Sequence, residues 1–568
     1  MVLHAARYVT EEWTDDEAAV LRRYFTNLDG PVFALVNLPE VVKGALFARY
    51  SRSAKSLRRL FLDEFVGDLD VSGDHGVDAT VGLARAEQLY DKVFFEYGDD
   101  SVAQLGGVHL ACEQASNLLT KAIEWSRLMS YMEKSTRYVA YDSRLANGRY
   151  RYHRDPAVLD SPLGARYVGD LDRLFDAYAQ LLPSTVAHLA REHPRAAGDS
   201  DLVWRQSVRA RAYDALRGVL PAAATANLGI YASGQAYEAL LVRLAAHPLP
   251  EARSYAAMML EELRKVIPSW VKRVDVEDRG RLWSRYLAET REGMQELATS
   301  LFGPVQPAAA AEGGEPQVAL VDWDPDAEVK LVASMLHPYT HLPETAVQDR
   351  VAQMTASERV AVIERYGGDR RNRRHKPGRA LERIGYRFDV ISDYGAFRDL
   401  QRHRLLTVEW QELTPAHGYT VPEAVAAASG AARYRESMER SAALHAALLE
   451  RFGPTRAAYA VALAYRIRYT LQLNAREAMH LLELRTAPAG HPEYRKVGQQ
   501  MHRLIAEQAG HRAVAALMRY VDHADHDRAG LPRLDGERRA EARRLAARAP
   551  DPLAGGPDSS PRRNPDRR

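Results

Sequence analysis

The sequence predicts an α+β protein built as two helix-rich lobes, and three observations lead to that expectation. A chain of 568 residues exceeds the usual size of one domain. Residues 303–316, Gly-Pro-Val-Gln-Pro-Ala-Ala-Ala-Ala-Glu-Gly-Gly-Glu-Pro, have the composition of a linker and divide the chain into 1–302 and 317–530. Short runs that alternate like strands, 318–323 and 386–390, stand beside long helical patterns at 166–191 and 434–451.

Taken in order, residues 85–97 have the pattern of an amphipathic helix stopped at Gly98, and Asp99 or Ser101 can cap the next one. A helix is expected over 102–126, then a Pro-punctuated loop over 155–163 and the helix 166–191. Beyond the linker, the basic run 369–376 is expected to be a solvated loop. The strand 386–390 precedes a helix starting at Tyr394, which leads into Gln401-Arg402-His403-Arg404. Two arginines around a histidine are costly in a core and useful beside a phosphate or an anionic cofactor, because guanidinium forks match phosphate oxygens. Asn474 to Arg485 is expected to be helical, with Arg476 and His480 on one face. His523 and His526 would share a helix face, yet an exposed polar helix end explains them better than a metal site, so no metal is expected. The tail from 531 onward, Pro-, Asp-, Gly- and Arg-rich after 549, should be disordered.

Composition excludes several classes. Lys and Arg total 77 against 75 Asp and Glu, a net charge of +2 that asks for neither nucleic acid nor a membrane surface. The single cysteine, Cys112, rules out an internal disulfide framework and any cysteine-rich zinc site, and it fits a small core residue in a helical pattern. No apolar run approaches the ~20 residues of a membrane span, and residues 1–14 lack a signal-peptide pattern, so the expected location is the cytoplasm. Neither G-x-G-x-x-G, a P-loop, G-x-S-x-G nor H-E-x-x-H is present at a suitable junction.

Arg402-His403-Arg404 fit the first half of RHRxxSxxxxSxR, the signature of flavin-dependent thymidylate synthases, while the expected Ser, Ser and Arg fall on Thr407, Glu412 and Thr414. The missing half resembles Ser130-Tyr131-Met132-Glu133-Lys134-Ser135-Thr136-Arg137-Tyr138, where the upstream triplet is Trp125-Ser126-Arg127. The chain therefore resembles two copies of that family's domain, offset by 404 − 127 = 277 residues, each keeping a different half of one motif. Asp214 to Pro221 resembles the family's E-x-x-R-x-x-L-P through Arg217, which falls on Ala458 in the second copy, an offset of 458 − 217 = 241. The first copy must then hold extra residues between the two motifs, expected within 140–200. Asn474-Ala475-Arg476 matches N-A-R, replaced by Ser233-Gly234-Gln235 in the first copy. Weaker matches are Ala48-Arg49-Tyr50-Ser51, the region 99–104, Glu382 of an S-x-x-E-H element in which Arg383 replaces the His, and His375 as a substitute for that His. Asp399 stands where the family has Gln.

The resemblance implies two copies packed as a pseudo-dimer, with one composite site between them. It implies nucleotide contacts from Glu133, Ser135, Arg137, Arg217 and Arg402, flavin contacts from Arg402, His403, Arg404, Thr407, Asn474, Arg476 and His480, and a catalytic role for Arg485. The implied reaction methylates dUMP to dTMP with FAD as cofactor and NADPH and methylenetetrahydrofolate as co-substrates. The reciprocal site, with Trp125, Ser126, Glu412, Thr414 and Ala458, should be inactive. A homodimer of pseudo-dimers would match the family's four-domain assembly. The alternatives are a non-catalytic flavin- or nucleotide-binding paralogue and, disfavoured by the even charge, an RNA-binding protein using the loop 370–376.

Overall fold

The computed structural model describes residues 8–38, 53–64, 107–303 and 312–524, with Leu46, Tyr50, Leu531, Leu534, Gly536 and Arg538. The expected helix 85–97, the stretch 99–104, residues 48, 49 and 51, and the tail 549–568 lie outside the described residues.

Two four-stranded antiparallel sheets organise the chain. In the first lobe Val32–Leu35 (β1), Gly107–Ser116 (β2), Met129–Glu133 (β3) and Thr225–Ser233 (β4) lie in the order β1-β2-β4-β3. In the second, Gln317–Trp323 (β5), Gly385–Asp393 (β6), Leu406–Trp410 (β7) and Arg466–Asn474 (β8) repeat it as β5-β6-β8-β7. A short helix follows each β2-type strand, Asn117–Glu124 and Tyr394–Leu400, and a longer one each β4-type strand, Gly234–Ala245 and Ala475–Arg485. The lobes are two copies of one unit. In β6, Tyr386, Phe388, Val390 and Ser392 point inward and their neighbours are only partly buried, the two-residue period of a strand with one core face.

The two sequence offsets hold element by element. An offset of 277 carries the last residue of β2, Ser116, onto Asp393, and one of 241 carries the first residue of β4, Thr225, onto Arg466. The surplus of the first lobe sits mainly in two helices. Gly164–Glu192 and Asp201–Leu216 have 29 and 16 residues, against 22 and 4 for Ala431–Phe452 and Pro454–Ala457.

The structure corrects several expectations. Residues 102–126 are not one helix: β2 occupies 107–116, and a helix of 8 residues follows, with Ser116 as its N-cap. β2 lies between β1 and β4 and buries residues 108–113 without a break, His109 and Glu113 among them, so it lacks the alternation of a half-exposed strand. Cys112 is a core residue, as expected, but on this strand. The stretch 155–163 contains the short helix Pro156–Leu159, capped by Asp155. The basic run 369–376 is only partly solvated, because Arg370 is buried with its fork on Glu483, at 2.7 and 2.6 Å. The last long helix is Pro492–Glu507, the short helix Arg512–Leu517 follows, and His523 lies beyond both. Past residue 530, Leu531 and Leu534 are buried and Arg538 pairs with Asp199. Among the described residues no helix is long and apolar enough to cross a membrane.

The lobes meet across a pseudo-two-fold axis. Ala222 N donates to Val461 O at 2.7 Å while Leu463 N donates to Leu220 O at 2.9 Å. Ala223 N donates to Tyr459 O and Ala464 N to Gly218 O, both at 3.0 Å. The 241 offset turns each bond of a pair into the other, and Pro221 bridges its own equivalent, Ala462. A second seam obeys the 277 offset: Arg127 donates to Leu406 O at 3.3 Å, and Arg404 to Met129 O. Such self-complementary contact is the mark of an isologous interface, here folded into one chain. One continuous hydrophobic core runs through both lobes.

Gly218 tests this seam. A Cβ there would stand 2.3 Å from Tyr434 Oη and 3.0 Å from Ala464 Cβ. Gly218→Ala is expected to destabilise the protein by about 1–3 kcal/mol through overpacking, read by chemical denaturation. A wild-type midpoint would mean that the seam yields freely.

Candidate active site

The turn that ends the helix Tyr394–Leu400 aims its cations across the seam. Asp393 caps that helix, and Arg398 and Arg402, four residues apart, project on one side. Both reach Glu133 at the end of β3 in the other lobe: Arg398 Nη2 donates to Oε1 at 2.6 Å and Arg402 Nη2 to Oε2. Lys121 Nζ adds a third cation at 3.4 Å. Burial alone would raise the Glu133 pKa, but Arg398, Lys121 and Arg402 outweigh it and hold the carboxyl well below its ordinary range. With its side chain fully buried and its oxygens engaged, Glu133 orients Arg402 rather than facing a ligand.

A second carboxylate gathers the remaining arginines. Asp399 lies 3.5 Å from Arg217 Nη1 and 3.8 Å from Arg485 Nη1. Against the upward push of burial, Arg217, Arg485, Arg402 and Arg137 together hold it well below the usual carboxylate range. Two of these arginines come from each lobe. Buried Asp214 anchors the first-lobe pair, Arg137 Nε at 3.1 Å and Arg217 Nη1 at 3.5 Å. Arg137 also donates to Ala489 O at 3.1 Å, and Ser135 Oγ accepts from Arg137 N at 3.2 Å, so the two share one turn. Arg217 Nη2 is buried without a hydrogen-bond partner. It packs closely on Gly395, where a Cβ would crowd it at 3.2 Å from Nη2. Arg402 and Arg137 keep 38% and 28% of their side-chain surface, so the cluster is open to solvent. Convergent guanidiniums, one with an unpartnered buried N–H, form an anion site.

His403 is fixed between this cluster and the helix Ala475–Arg485. Its Nε2 accepts from Arg485 Nε at 3.0 Å, which places the proton of the neutral ring on Nδ1, donating to Glu477 Oε1 at 2.8 Å. Burial pushes its pKa down to about 4. Burial pushes Glu477 up, but its bonds to His403 and His480 win, taking it to about 2. His403, Glu477 and His480 stand close enough to share an ion. The Arg485 guanidinium on the same ring opposes a cation there, and the protonated Nδ1 faces Glu477, so the donor set fits a hydrogen-bond relay better than a metal.

The other residues expected to hold the cofactor divide into two groups. Arg404 and Thr407 join His403 on a seam cavity of about 510 Å3, whose opposite wall includes Trp125, Arg127, Arg243 and Trp283. That volume suits a small-molecule or cofactor site, and the aromatic and cationic walls fit part of a flavin nucleotide. Thr407 Oγ1 also accepts from Arg127 at 2.9 Å. The second group does not line that cavity, although His480 lies beside His403. Asn474 Oδ1 caps its helix, accepting from Glu477 N at 2.9 Å. Arg476 donates to Pro377 O at 3.2 Å and lies 3.6 Å from Glu382, and His480 stays with Glu477. His375 sits in the exposed loop, its ring 3.0 Å from Asn372.

The pseudo-symmetric side carries different chemistry at the same positions. Glu133 and Arg402 correspond to Trp410 and Trp125, which meet edge to face at 5.7 Å. Arg217 and Gly395 correspond to Ala458 and Leu118, and Arg485 to Leu244. Sequence reasoning missed Asp214, Gly395 and Glu477 as parts of the site. It noted Asp399 without its role and gave Arg398 none, although an acid amid the three arginines of 398–404 is a charge pattern open to inspection.

Comparison with known proteins agrees with the duplication. The family described as thymidylate synthase complementing protein matches residues 49–269 and 319–509, once in each lobe. A UPF0159 protein of Chlamydia pneumoniae is 38% identical over 539 residues, covering 94% of this chain and 98% of its own. A UPF0159 protein of Thermoplasma acidophilum is 32% identical over 522 residues, covering 87% and 97%. Among solved structures, the UMP/dUMP methylase PolB from Streptomyces cacaoi, bound with 5-Br dUMP, is similar over 37% of this chain and 99% of its own, with 19% identity and a TM-score of 0.30.

Two histidines, His403 buried and His491 partly buried, give this region a pH signature. Burial and then Arg217 push His491 down to about 3, and His403 lies at about 4, against 6.5 for a free ring. Both are neutral when folded and take up protons first when unfolded. Their stability contribution is therefore complete above pH 6.5 and is lost as pH falls toward 4 and 3. The denaturation midpoint should decline over that window, and His491→Asn should flatten the decline. An identical slope in that variant would contradict the assignment.

Proposed function

Because the chain belongs to the thymidylate synthase complementing protein family, we propose that it methylates dUMP to dTMP in the cytoplasm, at one composite site between its lobes. Methylenetetrahydrofolate is the one-carbon donor, NADPH the reductant and FAD the cofactor. The observation that supports this reading is the convergence of Arg137 and Arg217 from one lobe with Arg402 and Arg485 from the other on Asp399.

Each residue has a task in this reading. Ser135 Oγ, Arg137 and Arg217 take the nucleotide phosphate, the unpartnered Arg217 Nη2 supplying a ready donor. Glu133 aims Arg402 at the same anion from the opposite lobe. Arg485, locked to His403, presents a fixed cation to negative charge that develops on the pyrimidine. Asp399 balances the arginines and competes with the phosphate for them. FAD, held by His403, Arg404 and Thr407 on the seam cavity, supplies hydride chemistry when bound. A second reading, a paralogue that holds flavin or nucleotide without turnover, draws on Asp399, whose negative charge stands among the phosphate-binding cations.

Tritium release from 5-labelled dUMP, with folate, NADPH and FAD supplied, tests turnover. Arg217→Ala should weaken dUMP binding by about tenfold to a hundredfold, since a charge-assisted bond contributes roughly 1.5–3 kcal/mol. A flavin band with no release would select the second reading, and the absence of both would overturn the function.

We also infer that two chains pair into a homodimer of pseudo-dimers through the helix Gly280–Phe302. Trp283, Leu287, Met294, Leu297 and Leu301 recur at spacings of three, four and seven, and all but Leu287 are exposed. Its first half carries Arg281, Arg285 and Arg291 against Glu289, and its second half Glu292 and Glu296, so an antiparallel second copy is complementary in charge. Sedimentation should show a dimer that Leu297→Glu converts to a monomer. A dimer surviving that change would place the interface elsewhere.

A further inference from the structure

In the first lobe Arg217 follows Arg137 by 80 positions, where in the second Ala458 follows Thr414 by 44 (217 − 137 and 458 − 414). Part of this surplus is the strip Arg149-Tyr150-Arg151-Tyr152-His153-Arg154, arginine alternating with aromatic rings, for which the methylation site has no use. Tyr150 and Tyr152 are each 5% exposed, which leaves the arginines to face the other way.

They face a cavity of about 790 Å3, within the range of small-molecule sites. Arg253 and Arg456 complete its basic lining. Arg151 donates to Ala140 O at 2.6 Å, Arg154 to Tyr150 O at 3.1 Å, and Arg253 to His247 O at 2.7 Å and Pro248 O at 2.9 Å. Backbone carbonyls orient a guanidinium without neutralising it. Arg149 is exposed and meets no carboxylate among the described residues.

The acids in the lining are largely committed elsewhere. Asp155 pairs with Arg456 at 3.0 Å and caps its own helix. Glu251 accepts from Ser116 N and Oγ at 2.9 and 2.6 Å and from Tyr459 Oη at 2.8 Å. Only Asp160, at the rim, is left. Against the cations stand Tyr255 and Met258, an apolar wall. Gln114, also in the lining, has a φ of 58° at the β2 bulge. A side-chain-bearing residue held there stores strain of a kind that clusters at binding sites.

We propose that this cavity binds a nucleoside phosphate, with its phosphates on Arg149, Arg151, Arg154 and Arg253 and its base against the tyrosine and methionine wall. It shares no residue with the cluster around Asp399, so it is a second nucleotide site and does not depend on the methylation reading. Guanidinium forks select phosphate, and the apolar wall gives a base an advantage over a bare anion.

The test is calorimetric titration of the full chain with ATP, dTTP and inorganic tripolyphosphate. The expected result is saturable binding of at least one nucleotide, at least tenfold tighter than tripolyphosphate. It should survive Arg217→Ala and weaken at least tenfold in Arg149→Glu and in Arg253→Gln, each with a wild-type circular dichroism spectrum. Arg149 is exposed, which keeps that variant informative even if Arg253→Gln fails to fold. No binding of either nucleotide overturns the proposal. Equal affinity for tripolyphosphate overturns it too, as does binding lost with Arg217 but intact without Arg149.

Discussion

The arrangement depends on a buried carboxylate that one lobe lends to the other. Glu133 ends β3 of the first lobe and receives Arg398 and Arg402 of the second. A buried ion pair contributes little net stability over an apolar substitute, but leaving one partner alone costs about 3–5 kcal/mol. Its value here is geometric, because it fixes the direction of Arg402 and, through the same turn, Asp399 and His403. The pseudo-symmetric contact shows the alternative, two tryptophans that hold the lobes together with no charge to direct. One interface therefore carries an apolar clasp on one side and a charged one on the other.

That asymmetry runs outward from the seam. Where Arg217 lies against Gly395, the other side has Ala458 and Leu118, so the loss of a guanidinium goes with the arrival of a side chain at the position it crowds. Cations accumulate on one face and are balanced by Asp214 and Asp399, both held ionised below the ordinary carboxylate range. The histidines nearby, His403 and His491, are kept neutral by the same burial that would otherwise protonate the acids. Asp214, Asp399, His403 and His491 therefore keep one charge state at neutral pH.

Much of this was legible in the sequence because the duplication split one motif in two. The offsets of 277 and 241 located the equivalent strands, and the alternation of 386–390 identified β6. β2 was not legible, since a strand paired on both edges and buried along most of its length loses the alternation that distinguishes it from a helix. Asn474 looked like a ligand contact because a capping residue and a binding residue share the same chemistry, and only the 2.9 Å bond to Glu477 N shows the cap. Arg370 looked solvated because its neighbours are, while its partner Glu483 lies more than a hundred residues away. Roles that depend on distant partners, such as those of Asp214, Gly395 and Glu477, leave no local trace.

The backbone ladder at the pseudo-two-fold axis also bears on how the chain is made. Residues 218–223 exchange four backbone hydrogen bonds with 459–464, so during synthesis the first lobe emerges with those groups unmatched. At roughly 5–20 residues per second the wait for its complement is about 12–50 s. For that interval the nascent lobe exposes a ready-made template to any other chain carrying the same complement. Two ribosomes on one message could then pair the first lobe of one product with the second lobe of its neighbour. Fusing the two lobes in one chain makes the correct partner the nearest one, and the linker acts as a kinetic safeguard against exchange as much as a spacer.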